Sequence, residues 1–452
     1  MVKPLLSAGT AAHRLGVAIG AAALLAGMLV LLPNAGSASV SGRAVSGKPA
    51  SVTVRADAGS GWVATWAASP TAASDIISPT AYDGFSDQTV RNIIYTSVGG
   101  DELQAQLSNV FGTGAVTIGA VDIGVVLDGG QLVPGTSRPL TFQGKTSVTI
   151  PAGQQVLSDP LAMDVRPLQE LAVSIYLPEA TGPATYHFDA QQTGYIASGD
   201  HAGDAGVTAY STTDSSWFFL SGLDVLDPSA PGTIVAFGDS ITDGHMSLSD
   251  GNARWPNYLA RRLDALYGSG APAVVDEGII GNRVLNDSAC FGESAEARFE
   301  RDALSQPGVK DVILLEGIND IGFSGQASSG CYAPADPAVT AAQIEAGYQD
   351  LIGMAHAAGV RIYAGTLTPF MGSNATYGGN DGTAAGEALR EQVNAWILTS
   401  HAFDGVIDFS QVLQDPDDPL YLDPAYNSDD SLHPGDIGYE AMADAVPLDY
   451  LR

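Results

Sequence analysis

Positive charge is scarce in this chain, with 19 Lys and Arg against 50 Asp and Glu and a formal net charge of −31. Phosphate backbones are held by basic surfaces, so a nucleic-acid partner is excluded. A surplus of acid fits solubility outside the cell instead. Cysteine is rarer still: Cys290 and Cys331 are the only two among 452 residues. No spacing suits a zinc site, and neither a metal nor a cofactor is expected. After residue 40 no run is apolar enough to cross a bilayer, and no internal repeat is present.

The start of the chain departs from the rest. Lys3, His13 and Arg14 flank or precede an apolar run over residues 15–32, followed by Pro33 and the small residues Ala35, Gly36, Ser37, Ala38 and Ser39. This order reads as a signal peptide over residues 1–39, so the mature protein is expected to begin near residue 40 and to be secreted. The same run is just long enough for an uncleaved anchor, which stays open; once it is cleaved, no stable membrane insertion is expected. An exported chain meets an oxidising compartment, where Cys290 and Cys331 are expected to form a disulfide. Each follows a motif segment, so the bridge would tie two loops of one site together. Two unpaired thiols are the alternative.

Residues 40–60, rich in Ser, Gly, Ala and Val, read as a flexible lead-in. From 61 to 226, β-branched or alternating runs recur between Gly, Pro, Asn and Asp, at 89–95, 103–107, 116–118, 147–150 and 171–177. An all-β, sandwich-like domain is predicted there. Trp217, Phe218 and Phe219 read as buried strand at its boundary rather than as a sugar or lipid site. After a linker at 227–232 the rhythm becomes strand then helix, with strands predicted over 233–237, 274–278, 311–317, 361–367 and 405–409. Trp255, Leu259, Leu263 and Leu266, and then Ile344, Tyr348, Leu351, Ile352 and Ala355, fall on single helical faces. Residues 232–452 are therefore expected to form an α/β domain whose parallel sheet binds ligands at the carboxyl ends of its strands.

Four ordered segments of this half carry chemistry: Gly238-Asp239-Ser240, Gly281-Asn282, Gly317-Ile318-Asn319-Asp320 and Asp430-Ser431-Leu432-His433. A serine hydroxyl is a weak nucleophile until a base takes its proton. Ser240 is the candidate nucleophile, although capping a following helix is a plainer duty for serine after a strand. His433 is the candidate base, since imidazole titrates near working pH. Asp430 would orient it across the first turn of a helix, with Asp429 as its local rival and Pro434 marking the helix start. The backbone N–H groups of Ser240 and Gly281 and the side-chain amide of Asn319 are the candidate oxyanion donors. Ordinary turn residues are the plainer reading of Gly281 and Asn319. His245 is near enough to Ser240 in sequence to line the site. Thr242 occupies the second glycine position of a Gly-x-Ser-x-Gly elbow, so that motif is absent. Asp415, Asp417, Asp418 and Asp423 read as a solvated loop rather than a calcium site.

On Ser240, Gly281, Asn319 and His433, with the Asp430-x-x-His433 pair, the chain resembles the GDSL or SGNH hydrolase superfamily over roughly residues 232–452. Ile241 stands where leucine is usual, a volume-conserving change. The resemblance implies a flavodoxin-like three-layer α/β domain and metal-independent hydrolysis of carboxylic esters. Through Thr65-Trp66-Ala67-Ala68-Ser69-Pro70 and Phe218-Phe219-Leu220-Ser221-Gly222-Leu223, the β-rich half is similar to secreted bacterial SGNH hydrolases akin to xylanase-associated esterases and acylhydrolases. The expected function is that of a secreted serine esterase, acting first on short acyl groups of an acylated polysaccharide. A lipase- or phospholipase-type acylhydrolase acting on lipid is the alternative within the enzymes. A non-catalytic, glycan-binding surface protein is the alternative outside them, and acyl transfer to a sugar would use the same residues.

Overall fold

A computed structural model describes residues 61–327, 330–332 and 337–451. The expected signal peptide and lead-in over 1–60 lie outside the described residues.

The second half is built on five parallel strands: β1 (Thr233–Gly238), β2 (Ala273–Gly278), β3 (Val309–Leu315), β4 (Arg361–Gly365) and β5 (Gly405–Ile407), in the order β2-β1-β3-β4-β5. That order has its switch point at β1: the chain crosses from β1 to β2 on one face and returns from β2 past β1 to β3 on the other. Ile234, Val235, Ala236 and Phe237 are buried without alternation, as expected of a strand covered on both sides. All five predicted strands are present. The last three end two residues before their predicted ends of 317, 367 and 409, because the chain leaves the sheet there to form the loops that carry polar groups.

The helices follow the apolar spacing. Trp255–Tyr267 buries Trp255, Leu259 and Leu263, whereas Leu266 is exposed, so the buried stripe ends one turn earlier than its spacing implies. Ala341–Ala357 starts in a capping box between Thr340 and Gln343 and buries Ile344, Tyr348, Leu351, Ile352 and Ala355.

Residues 62–226 form antiparallel sheets. In one, Leu220–Leu226 lies between Trp62–Ala67 and Gly100–Asn109; in another, Glu170–Leu177 lies between Gln88–Tyr95 and Ala120–Asp128. Trp217, Phe218 and Phe219 are buried; Trp217–Phe218 is a strand as predicted, whereas Phe219, with φ 57°, is the bend that leads into Leu220–Leu226. This half is joined to the parallel sheet through main-chain groups. The Ala64 amide donates to Pro307 O and Thr233 Oγ1, each at 3.2 Å, and the Val274 amide donates to Ser97 Oγ at 3.0 Å. The described residues form one compact unit.

Candidate active site

β1 ends at Gly238, where a Cβ would lie 2.1 Å from Leu315 O of the adjacent strand, so only glycine fits. Asp239 caps the next helix, accepting from the Ile241 amide at 3.0 Å, and Ser240 is the first residue of that helix, Ser240–Asp243. Gly244 closes the helix in the left-handed conformation and returns the chain toward His245. Burial pushes the Asp239 carboxyl up to about 7.

Ser240 Oγ lies 2.7 Å from His433 Nε2, and His433 Nδ1 lies 2.7 Å from Asp430 Oδ2. Ser240 and His433 are each 3 % exposed. The Asp430–His433 segment is not the helical turn that its spacing suggested. The helix begins only at Asp436, and Asp429 and Ser431 both adopt positive φ. The carboxylate itself organises the bend: Asp430 Oδ1 accepts from the amides of Leu432 and His433, each at 2.8 Å, while Oδ2 faces the ring. Asp429 is turned out to solvent, so the rivalry resolves in favour of Asp430.

Burial alone would raise Asp430, but the His433 ring and the two amides hold it well below the usual carboxylate range. Burial also lowers His433, against the opposing hydrogen bond from Asp430 and with a further push from the neighbouring His245. The ring is therefore neutral near pH 7, as a proton acceptor must be.

After β2, Gly281 turns the chain with φ 71°. A Cβ there would lie 2.5 Å from Phe291 Cγ. Asn282 anchors this turn, its amide nitrogen donating to Phe291 O at 2.8 Å and Glu293 O at 2.7 Å. After β3, Asn319 Nδ2 donates to Asn282 O at 3.0 Å, and Asp320 accepts from the amides of Val284 at 2.7 Å and Leu285 at 3.1 Å. The third motif thus grips the second. Neither Ser240 N nor Gly281 N makes a hydrogen bond among the described residues, and the Asn319 amide has a second N–H to give.

Three contributors carry no local signature. Tyr377, in the loop after β4, donates to Asp430 Oδ2 at 2.9 Å and lies 3.3 Å from His433 Nδ1. Asp189, from the β-rich half, is 2.5 Å from His245 Nδ1. Arg298 is completely buried beneath the site. It donates to Asn282 Oδ1 at 2.9 Å, Glu277 O at 2.8 Å, Gly238 O at 2.8 Å and Ser69 Oγ at 2.9 Å, so one guanidinium fastens the ends of β1 and β2 and the Gly281-Asn282 turn. None of the three closely follows one of the strands read from the sequence or stands at a fixed spacing from another site residue, the two marks by which sequence reveals such a residue.

Cys290 and Cys331 form a disulfide between the loops that follow the second and third motifs. The acidic residues at 415–423 serve local turns, with Asp415 accepting from the Asp417 amide and Asp423 from the Ala425 amide, each at 2.8 Å.

A serine hydroxyl on a neutral imidazole, above the carboxyl ends of a parallel sheet and beside unpaired amides, is equipped for acyl transfer; the chain is an ester hydrolase. Residues 236–441 match the GDSL-like Lipase/Acylhydrolase family, and this part of the chain belongs to the GDSL/SGNH superfamily. Among solved structures it is similar to an acetylxylan esterase from Geobacillus stearothermophilus, with 20% identity, 48% of this chain and 92% of that chain covered, and a TM-score of 0.35. It is also similar to a GDSL-like lipase from Bacteroides thetaiotaomicron VPI-5482, with 17% identity, coverage of 48% and 85%, and a TM-score of 0.34. These likenesses are too slight to bear on substrate. Comparison with curated proteins finds no match.

Proposed function

We propose that this chain is an exported serine esterase that removes short acyl groups from carbohydrate. The observation that carries this reading is the continuous line from Asp430 Oδ2 through His433 to Ser240 Oγ, with both hydrogen bonds at 2.7 Å. As Ser240 Oγ attacks the acyl carbon, its proton passes to His433 Nε2, and the carbonyl electron pair moves to oxygen. The amides of Ser240 and Gly281 and the side chain of Asn319 receive that oxyanion. Collapse of the intermediate breaks the ester C–O bond, and His433 returns the proton to the leaving alcohol. Water then repeats the cycle on the acyl-serine and releases the carboxylic acid. Asp430 keeps the proton of neutral His433 on Nδ1 and stabilises the imidazolium.

A polar alcohol is favoured by the groups beside the base: His245 and Asp189 have side chains 27% and 24% exposed. Export is supported by the disulfide, which persists only under oxidising conditions. The antiparallel sheets of residues 62–226 are read as a sandwich-like accessory unit.

The test is hydrolysis of a p-nitrophenyl ester series, acetate to palmitate, by the native chain and by Ser240→Ala. Acetate should be cleaved fastest, and the variant should lose at least roughly a thousandfold in kcat. A variant that retains native activity overturns the nucleophile, and a palmitate preference moves the substrate to lipid.

A further inference from the structure

His245 stands apart from the proton path yet lies against it. Its ring packs edge-on to that of His433, with centroids 4.6 Å apart. Its backbone is fixed at both ends: the amide donates to Ser240 O at 2.9 Å, and the carbonyl accepts from Tyr439 Oη at 2.6 Å. Its Nδ1 is taken by Asp189 Oδ2 at 2.5 Å. Asp189 is itself held, with φ 59° and a second donor in Gln191 Nε2 at 2.8 Å. The other ring nitrogen, Nε2, has no partner among the described residues, and 27% of the side chain is open to solvent. A ring so thoroughly oriented through one nitrogen, with the other unused, is built to meet something outside the chain.

Position identifies what that is. His433 hands its proton to the leaving oxygen, so the alcohol half of an ester departs on the His433 side of the site. We propose that His245, held by Asp189, binds a hydroxyl group of that alcohol next to the leaving oxygen and so selects esters of polyols. The proposal rests on the ester-hydrolase reading and deepens it. With Nδ1–H committed to a carboxylate, Nε2 accepts a hydrogen bond when the ring is neutral and donates one when it is charged. A hydroxyl satisfies either state, an ammonium or a carboxylate only one, and a plain alkyl group neither. Burial opposes the charged ring, but the Asp189 hydrogen bond and the negative charges of Asp189, Asp430 and Asp243 together offset it and raise His245 above its ordinary value. The donating form is thereby favoured. The β-rich half, through Asp189, would then contribute to the choice of substrate.

Glycerol monoacetate and ethyl acetate share an acyl group and differ in the hydroxyls beside the leaving oxygen. The readout is the ratio of their kcat/KM values in the native chain, in His245→Phe, which keeps a ring against His433 without its nitrogens, and in Asp189→Ala. The native chain should prefer the monoacetate, and each variant should lower the ratio by roughly tenfold, the weight of one hydrogen bond. An unchanged ratio, whether both substrates fall together or neither falls, overturns the proposal while leaving the esterase reading intact. A folded native chain that cleaves neither ester overturns both.

Discussion

Asp430→Asn is the sharpest perturbation of the site, because all four hydrogen-bond partners of this carboxylate are donors. Oδ1 takes the amides of Leu432 and His433, and Oδ2 takes His433 Nδ1 and Tyr377 Oη. An amide has one oxygen, and two fixed backbone N–H groups compete best for it. The NH2 group must then face the imidazole, which can only answer with a bare Nδ1. The ring proton is driven to Nε2, where it points at Ser240 and cannot receive another. Loss of the working tautomer and of the charge that steadies the imidazolium should lower kcat by about 10⁴, or about 5 kcal/mol in the barrier. The assay is p-nitrophenyl acetate hydrolysis at pH 7, with urea unfolding in parallel to verify that the variant is folded. A folded variant within tenfold of native kcat would refute the role given to Asp430.

The proposed mechanism uses the neutral form of His433 as the base, and burial lowers the pKa of that ring. Activity should rise with pH through a midpoint below the ordinary imidazole value of about 6.5, and a kcat/KM profile centred at or above pH 7 contradicts that. Gly281→Ala would put a methyl group 2.5 Å from Phe291 Cγ at a φ of 71°, so the turn must shift. A roughly hundredfold fall in kcat is expected from the displaced oxyanion donor, and an unchanged kcat would exclude Gly281 from that role. Replacing both cysteines by serine releases a cross-link spanning 41 residues, a loss of about 4 kcal/mol by chain entropy. Urea denaturation should read that loss, and a change below about 1 kcal/mol would leave the bridge without a stabilising part.

Much of the site was legible because parallel sheets place their working residues where strands end. Ser240, Gly281 and Asn319 each follow a recognisable apolar strand, and Asp430 and His433 are separated by a fixed interval. The error at Asp430 has a physical source: an interval of three suits a helical turn, but it also suits a carboxylate that bonds the amides two and three residues ahead, and positive φ at Asp429 and Ser431 selects the latter. Tyr377, Asp189 and Arg298 were not legible. Their roles depend on where distant segments pack, and nothing in the residues around them distinguishes them from other buried or loop positions.

The grip of Arg298 on Ser69 makes the two halves one inheritance. Ser69 Oγ also donates to Glu277 Oε2 at 2.6 Å, within a pocket where burial already raises that carboxyl well above its usual value. A chain trimmed to start at residue 232 would leave Arg298 short of one acceptor, Glu277 short of one donor and His245 without Asp189. In this chain the hydrolase half cannot be exchanged at the linker like a bead on a string. A chimera that swaps the first half must bring its own serine and aspartate, or the strand ends beneath the nucleophile lose their common fastening.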